Sequence, residues 1–349
     1  MFNHIKNTTD SIMAVFLTRA GKFGENENYF LDNNIICMVW QELSEVDLSN
    51  IKTQEQLKEI MIDTYQDRSK SIPNWISQIW IHLKKMQVGD LIVLPLKNSR
   101  KIAIGKIISD YIFDEKRKPY SHIRRVEWIE KEIPRTAFDQ DLLYSFGAFK
   151  TFCEINRNDV EARIKALLSG KKNATNNNLK HPLENIDGDK VNLEESSLDQ
   201  ISNLILSKFK GKKMESLVES IFKAKGYFTY ASPAGADGGV DILAAKGDLG
   251  FENPKICIQV KSGSAVGIDI LDRLSGTMKK VKADFGLLVS WEGFNKGKIK
   301  EEKRTEFFTI RLWEQKELVE EFLKYYDKLD EEIKSEIPLK QIWIIADGE

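Results

Sequence analysis

Two short stretches of the chain carry residue types that can do chemistry. Asp237-Gly238-Gly239-Val240-Asp241 leads into an apolar run, and Ile256-Cys257-Ile258-Gln259-Val260-Lys261 forms another close behind it. Side chains alternate along a strand, so Cys257, Gln259 and Lys261 share one face and Ile256, Ile258 and Val260 the other. A Gln and a Lys that end an apolar strand need partners, because burying a bare ammonium is costly. Asp241 can supply one, since Gly247, Gly250 and Asn253 between the two runs favour a turn that sets the strands side by side. The plainest reading of Asp241 with Lys261 is a buried ion pair. The other is that a carboxylate, an amide and an ammonium form a reactive site.

Other chemistries are poorly provided for. The four histidines, His4, His82, His122 and His181, form no His-Glu-x-x-His cluster, and Cys37, Cys153 and Cys257 stand too far apart for zinc or a disulfide framework. A Gly-x-x-x-x-Gly-Lys-Ser/Thr loop is absent, so the sequence has no nucleotide cofactor motif. Catalysis by this chain therefore rests on carboxylates and lysines. The formal net charge of -1 argues against a histone-like polyanion binder but leaves room for a local basic face. Residues 205–300 contain 16 Lys/Arg against 10 Asp/Glu, whereas residues 301–349 contain 8 against 14, so two opposite contributions cancel. No apolar run approaches the ~20 residues that span a bilayer, and the polar start lacks a signal-peptide core. The expectation is a soluble cytoplasmic protein without a membrane partner.

The elements that must position these residues fall into two groups. A polar, asparagine-rich run over 169–198 has no hydrophobic period and reads as a linker between a domain at 1–168 and one at 199–349. The first domain is strand-rich. Apolar strands are expected at 12–17, 35–40, 88–95, 101–107 and 124–128, with helical spacing near 53–67 and 74–83. In the second, Met214, Leu217, Val218, Ile221 and Phe222 form one helical stripe that stops at Gly226. Strands at 227–231, 239–245, 255–261, 285–290 and 307–312 alternate with helices near 267–281, 294–304 and 314–334. The fold class is α/β, with a mixed sheet flanked by helices.

The second domain resembles the PD-(D/E)xK nuclease superfamily and, within it, the Mrr-like restriction endonucleases. Three motifs carry the resemblance: the helix start Met214-Glu215-Ser216-Leu217-Val218, Asp-Gly-Gly-Val-Asp at 237–241, and Gln259-Val260-Lys261. It implies Mg²⁺-dependent phosphodiester hydrolysis, with Mn²⁺ as the alternative ion. Asp241, the Gln259 amide oxygen, the Val260 carbonyl and Glu215 would be the metal-side groups, and Lys261 the residue that orients water and stabilises phosphorane charge. Gln259 stands where most of the superfamily has an acid, which removes one negative charge and puts a two-metal scheme in doubt. Glu215 has a second reading as a carboxylate favoured by the helix dipole. Lys279, Lys280, Lys282, Lys296 and Lys298 are candidate DNA-phosphate contacts, or members of a solvated helix face.

The first domain resembles the PUA/EVE-type barrel found ahead of some Mrr-like enzymes. The motifs are Arg19-Ala20-Gly21, Gly89-Asp90-Leu91-Ile92-Val93-Leu94-Pro95, Ile133-Pro134-Arg135 and the block 140–149. Such domains hold a flipped or modified base against aromatic side chains. Trp40, Trp128, Tyr144, Ser145 and Phe146 are the candidates, with a core role as the alternative for each aromatic. Together the resemblances imply a modification-dependent restriction enzyme acting on double-stranded DNA as a homodimer or higher oligomer. A fixed-sequence or repair nuclease and a non-catalytic nucleic-acid-binding protein are the competing readings, and the intact Asp241, Gln259 and Lys261 set opposes the last.

Overall fold

The computed structural model describes residues 13–66, 71–148, 150–170, 193–233, 239–295 and 307–343. Contacts divide the chain into two compact units, Met1–Asp199 and Gln200–Glu349. In the first, the strands are β1 Val15–Thr18, β2 Ile35–Cys37, β3 Leu91–Pro95, β4 Lys101–Ile107, β5 Ile112–Phe113, β6 His122–Pro134 and β7 Phe152–Ile155. They pair in the order β2-β6-β4-β3-β1-β7, with β5 beside β6. β1 and β3 run parallel, and β3–β4 is the expected antiparallel hairpin. The strand expected at 124–128 extends over 13 residues as β6 and shifts register against β4.

The helices of this unit are α1 Glu27–Asn33, α2 Gln54–Thr64, α3 Ile72–Trp80, α4 Gln140–Phe146 and α5 Val160–Leu168. Alternation along β1 sends Phe16 into one core cluster and Val15 and Leu17 into another, so both faces of the sheet are covered. Leu57 and Met61 of α2 and Ile76 and Ile79 of α3 fill the first cluster; Leu142, Leu143 and Phe146 of α4 and Ile164 of α5 fill the second. Helix α3 runs into a π turn over Ile81–Lys85. Its carbonyls at His82 and Leu83 accept from Nε and Nη2 of buried Arg124, at 2.7 and 3.2 Å. The His82 ring is fully buried, stacks on Phe152 at 4.7 Å, and has no hydrogen-bond partner at either nitrogen among the described residues.

Part of the expected linker is structured. Residues 171–192 lie outside the described residues, but 193–198 begin a helix, α6 Leu193–Lys208, and are not a flexible joint. Glu195 and Asp199 sit four residues apart and so share one side of the helix. Arg135 donates from Nε and Nη2 to the two oxygens of Asp199, both at 2.6 Å, and its Nη1 lies 2.9 Å from Glu195. Paired carboxylates on a helical repeat matched to a forked guanidinium are the physical reason why this polar segment is ordered.

In the second unit, α7 Lys212–Ala224 buries the stripe Met214, Leu217, Val218, Ile221 and Phe222. Gly226, at φ +78°, ends it in a Schellman turn: Tyr227 N–H donates to Phe222 O and Gly226 N–H to Lys223 O. The sheet comprises β8 Phe228–Ala231, β9 Ile242–Lys246, β10 Glu252–Lys261, β11 Phe285–Ser290 and β12 Ile310–Trp313, in the order β12-β11-β10-β9-β8. β8, β9 and β10 pair antiparallel, whereas β10, β11 and β12 pair parallel, which is the expected mixed sheet. Helix α8 Ile268–Val281 packs Leu271, Leu274 and Met278 onto Cys257, Leu288 and Ile310. The helix expected near 294–304 falls largely on residues outside the described set. The one expected at 314–334 divides into α9 Gln315–Tyr325 and α10 Glu331–Glu336, separated by a short 3₁₀ turn. Among the described residues no helix is long and apolar enough to cross a membrane.

Burial holds the His82 imidazole well below its usual pKa, with the charges of Arg124 and His122 acting in the same direction. A depressed folded pKa means that the unfolded chain takes up the proton first. Stability is therefore present above the unfolded value of about 6.5 and is lost as pH falls below it. His82→Phe, which keeps an aromatic ring on Phe152, is expected to flatten the fall in melting temperature between pH 7 and pH 5; an unchanged fall assigns it to other groups.

Candidate active site

The register of β9 on β10 builds the site. Ile242 pairs with Ile258, and one step further along the same ladder Asp241 reaches the level of Gln259. Asp241 N–H donates to Ile258 O, Asp241 O accepts from Ser232 N–H, and Oδ2 of its side chain accepts from Val260 N–H at 2.6 Å. Two backbone bonds therefore hold the residue in the ladder and a third fixes its carboxylate, at 2% exposure. Lys261 Nζ stands 3.9 Å from Asp241 Oδ2 and is about a third exposed, so the ammonium keeps contact with water while facing the carboxylate. Gln259 is 6% exposed, and its Oε1 has no hydrogen-bond partner among the described residues. A buried acceptor without a donor costs about 1–3 kcal/mol, which marks Oε1 as an oxygen built to meet something else.

Two further features shape the surroundings. Gly239 adopts φ +87°, and a Cβ there would lie 3.3 Å from Thr277 Oγ1, so the second glycine of the Asp-Gly-Gly motif meets a backbone requirement. The start of α7 is tied to the residues that follow β10 and β8: Gly211 N–H donates to Ser262 Oγ at 2.8 Å, and Lys212 Nζ reaches Ser232 O at 2.6 Å. Lys212 also pairs with Glu215 at 2.6 Å. Glu215 is thus held in the first turn of α7 by an ion pair and does not line the groove beside Gln259 and Lys261. The Cys257 thiol, on the same strand face as Gln259, is pushed up to about 11 by burial and by the charge of Asp241, which disfavours the thiolate.

An open groove of about 560 Å³ lies against these residues. Gly239, Gln259 and Lys261 line one side, and Arg273, Thr277 and Lys280 of α8 line the other. Of the expected phosphate contacts, Lys280 borders the groove. Lys279 and Lys282 are exposed but do not line it, and Lys296 and Lys298 lie outside the described residues. Arg273 is the residue that charge counting missed. The signal was there in its spacing: Arg273 and Lys280 are seven apart on α8, opposite the Leu271, Leu274 and Met278 face.

The residues read as base contacts are not brought together. Trp40 and Trp128 pack against one core cluster, and Trp128 Nε1 donates to Phe30 O at 3.3 Å. Phe146 belongs to the cluster on the other face of the sheet, fully buried and edge-on to Phe138. The amphipathic pattern of α4 turned it inward, so it cannot stack on a base without unpacking the core. Ser145 is buried too, donating to Asp141 O at 3.1 Å and accepting from Arg157 Nε at 3.0 Å. Tyr144, half-buried, remains at the surface of α4.

The donor set at the site suits a hard cation. Among the described residues no three His, Cys, Asp or Glu side chains cluster around a metal position. The available groups are the Asp241 carboxylate, the orphaned Gln259 Oε1 and the Val260 carbonyl, all oxygen, as Mg²⁺ prefers when it retains several waters.

Residues 206–322 match the Mrr_cat family model, described as a restriction endonuclease, and carry that domain. Residues 16–146 match a second model, DUF8426, described as a domain of unknown function. Among solved structures the chain is similar to the MspJI restriction endonuclease in complex with a 27-mer oligonucleotide, at 11% identity and TM-score 0.31, over 77% of this chain and 70% of that one. It is also similar to the DNA modification-dependent restriction endonuclease AspBHI, at 12% identity and TM-score 0.32, over 83% and 75% respectively. No curated protein matches the chain.

Two substitutions separate the structural roles of the site residues when no divalent ion is present. Asp241→Ala leaves the buried Val260 N–H without its acceptor and is expected to lower stability by about 1–3 kcal/mol. Gln259→Leu removes an acceptor that has no donor and should leave the melting temperature unchanged or raised. Thermal melts in a chelator check both; a large loss for Gln259→Leu would mean that its oxygen is already satisfied.

Proposed function

We propose that this protein is a metal-dependent DNA endonuclease that cuts modified DNA in defence against foreign genomes. The observation that carries the reading is a buried carboxylate beside an amide oxygen unpartnered among the described residues and a partly exposed ammonium, all within a restriction endonuclease domain. Asp241, Gln259 Oε1 and the Val260 carbonyl would hold a Mg²⁺, which when bound supplies a Lewis acid at the phosphate oxygens. Lys261 would orient the attacking water and counter the negative charge that gathers on phosphorus as the new P–O bond forms and the bridging P–O bond breaks. Glu215, fixed by Lys212, would accept a hydrogen bond from water at the edge of the site. Arg273 and Lys280 would draw the backbone into the groove.

The first unit would read the base, as its resemblance to PUA/EVE-type domains implies. Trp40, Trp128 and Tyr144 are the candidate contacts that retain some exposure. One site per chain cuts one strand, so cleavage of both strands calls for a homodimer or a pairing on DNA.

The test compares plasmids carrying methylated, hydroxymethylated or unmodified cytosine, with Mg²⁺ or Mn²⁺, for the wild type and Lys261→Ala. Cutting of modified plasmid is expected, with a loss of about 10²–10³-fold in the variant. Equal cutting of all three plasmids would overturn the modified-base assignment, and no cutting with either ion would overturn the nuclease assignment.

A further inference from the structure

Helix α8 has a glycine in its interior, Gly276, and nothing among the described residues requires it. A mid-helix glycine is less stable than alanine because it costs more backbone entropy to order. Its φ is not in the left-handed region, so no unusual backbone conformation calls for it. Nor does packing: a Cβ at Gly276 would meet no atom within 4 Å. Gly286 on β11 is the contrast, since a Cβ there would come 2.6 Å from Met278 Sδ. What Gly276 does face is the groove, between Arg273 and Lys280 and across from Gln259 and Lys261.

We propose that Gly276 is the point of closest approach between α8 and the sugar-phosphate backbone of bound DNA, with Arg273 and Lys280 gripping phosphates on either side. The inference rests on the nuclease reading and deepens it by assigning the α8 wall to the substrate strand. The geometry is consistent with one strand lying along the helix. Seven residues cover about 10.5 Å, enough to set the two cations on different phosphates of one strand. Arg273 is available for such a contact, because its 3.1 Å pair with Asp269 is exposed on both sides, and pairs of that kind contribute little. A side chain at position 276 would hold the strand away from the helix surface and from Lys261.

The experiment measures binding of a labelled modified duplex by fluorescence anisotropy in a chelator, together with melting curves, on the full chain. Gly276→Ala should raise the melting temperature by about 2–4 °C, as relief of a helix-interior glycine does in a unit of this size. Gly276→Leu should melt no lower than the wild type yet bind at least tenfold more weakly. The Arg273→Ala/Lys280→Ala double variant should reduce the slope of log K against log salt by about 2, the count expected for two lost phosphate contacts. Wild-type affinity in Gly276→Leu, or an unchanged salt slope in the double variant, overturns the proposal while leaving the nuclease reading intact. A shift in oligomeric state of Gly276→Leu without loss of DNA affinity overturns it as well, because the glycine would then clear a second copy of the chain. A wild type that binds no duplex overturns both readings.

Discussion

The antiparallel pairing of β9 with β10 is the constraint on which the site depends. Asp241, Gln259 and Lys261 meet only because Ile242 lies opposite Ile258, and a slip of one residue would turn every side chain of one strand to the other face. Several features hold that register. The turn between the strands uses Gly247 and Gly250 at φ +82° and +69°, closed by a Gly250 N–H to Gly247 O bond. β10 is pinned on its other side by a ladder of six parallel pairs with β11. The 2.6 Å bond from Val260 N–H to Asp241 Oδ2 then uses a carboxylate as a strand partner, so the candidate catalytic side chain also completes the sheet.

That double use explains the balance of charge in the site. A carboxylate buried to 2% exposure is costly unless its oxygens are engaged, and one of them is engaged by the backbone. Lys261 at 3.9 Å relieves more of the cost without a close ion pair, leaving its ammonium partly in water. Gln in place of an acid at 259 lowers the negative charge packed into this corner, and its oxygen, unpartnered among the described residues, would offer a cation a neutral ligand. The site is thereby stable without being self-satisfied, which a purely structural ion pair would be.

Much of this was legible in the chain. The stripe from Met214 to Phe222 and its stop at Gly226 follow from a period of 3.6 and a left-handed C-terminal glycine. The face shared by Gln259 and Lys261 follows from a period of 2. The ordering of 193–198 was hidden because it depends on Arg135, some sixty residues away, a partner that no local pattern reveals. Among the aromatic candidates of the first unit, Phe146 turned into the core for a related reason. Trp and Phe signal burial and stacking equally well, and only the sheet decides which face each one takes. Phe146 and Trp128 ended in different core clusters. Arg273 was overlooked because a tally of lysines ignores which side of α8 faces the groove.

Isothermal titration of Mg²⁺ into the wild type and into Asp241→Asn tests the central claim most directly. Asp→Asn keeps the size of the side chain and removes its charge. The account predicts a saturable binding heat in the wild type that is lost in Asp241→Asn. Equal binding in both proteins, or none in the wild type with or without duplex DNA, would contradict it.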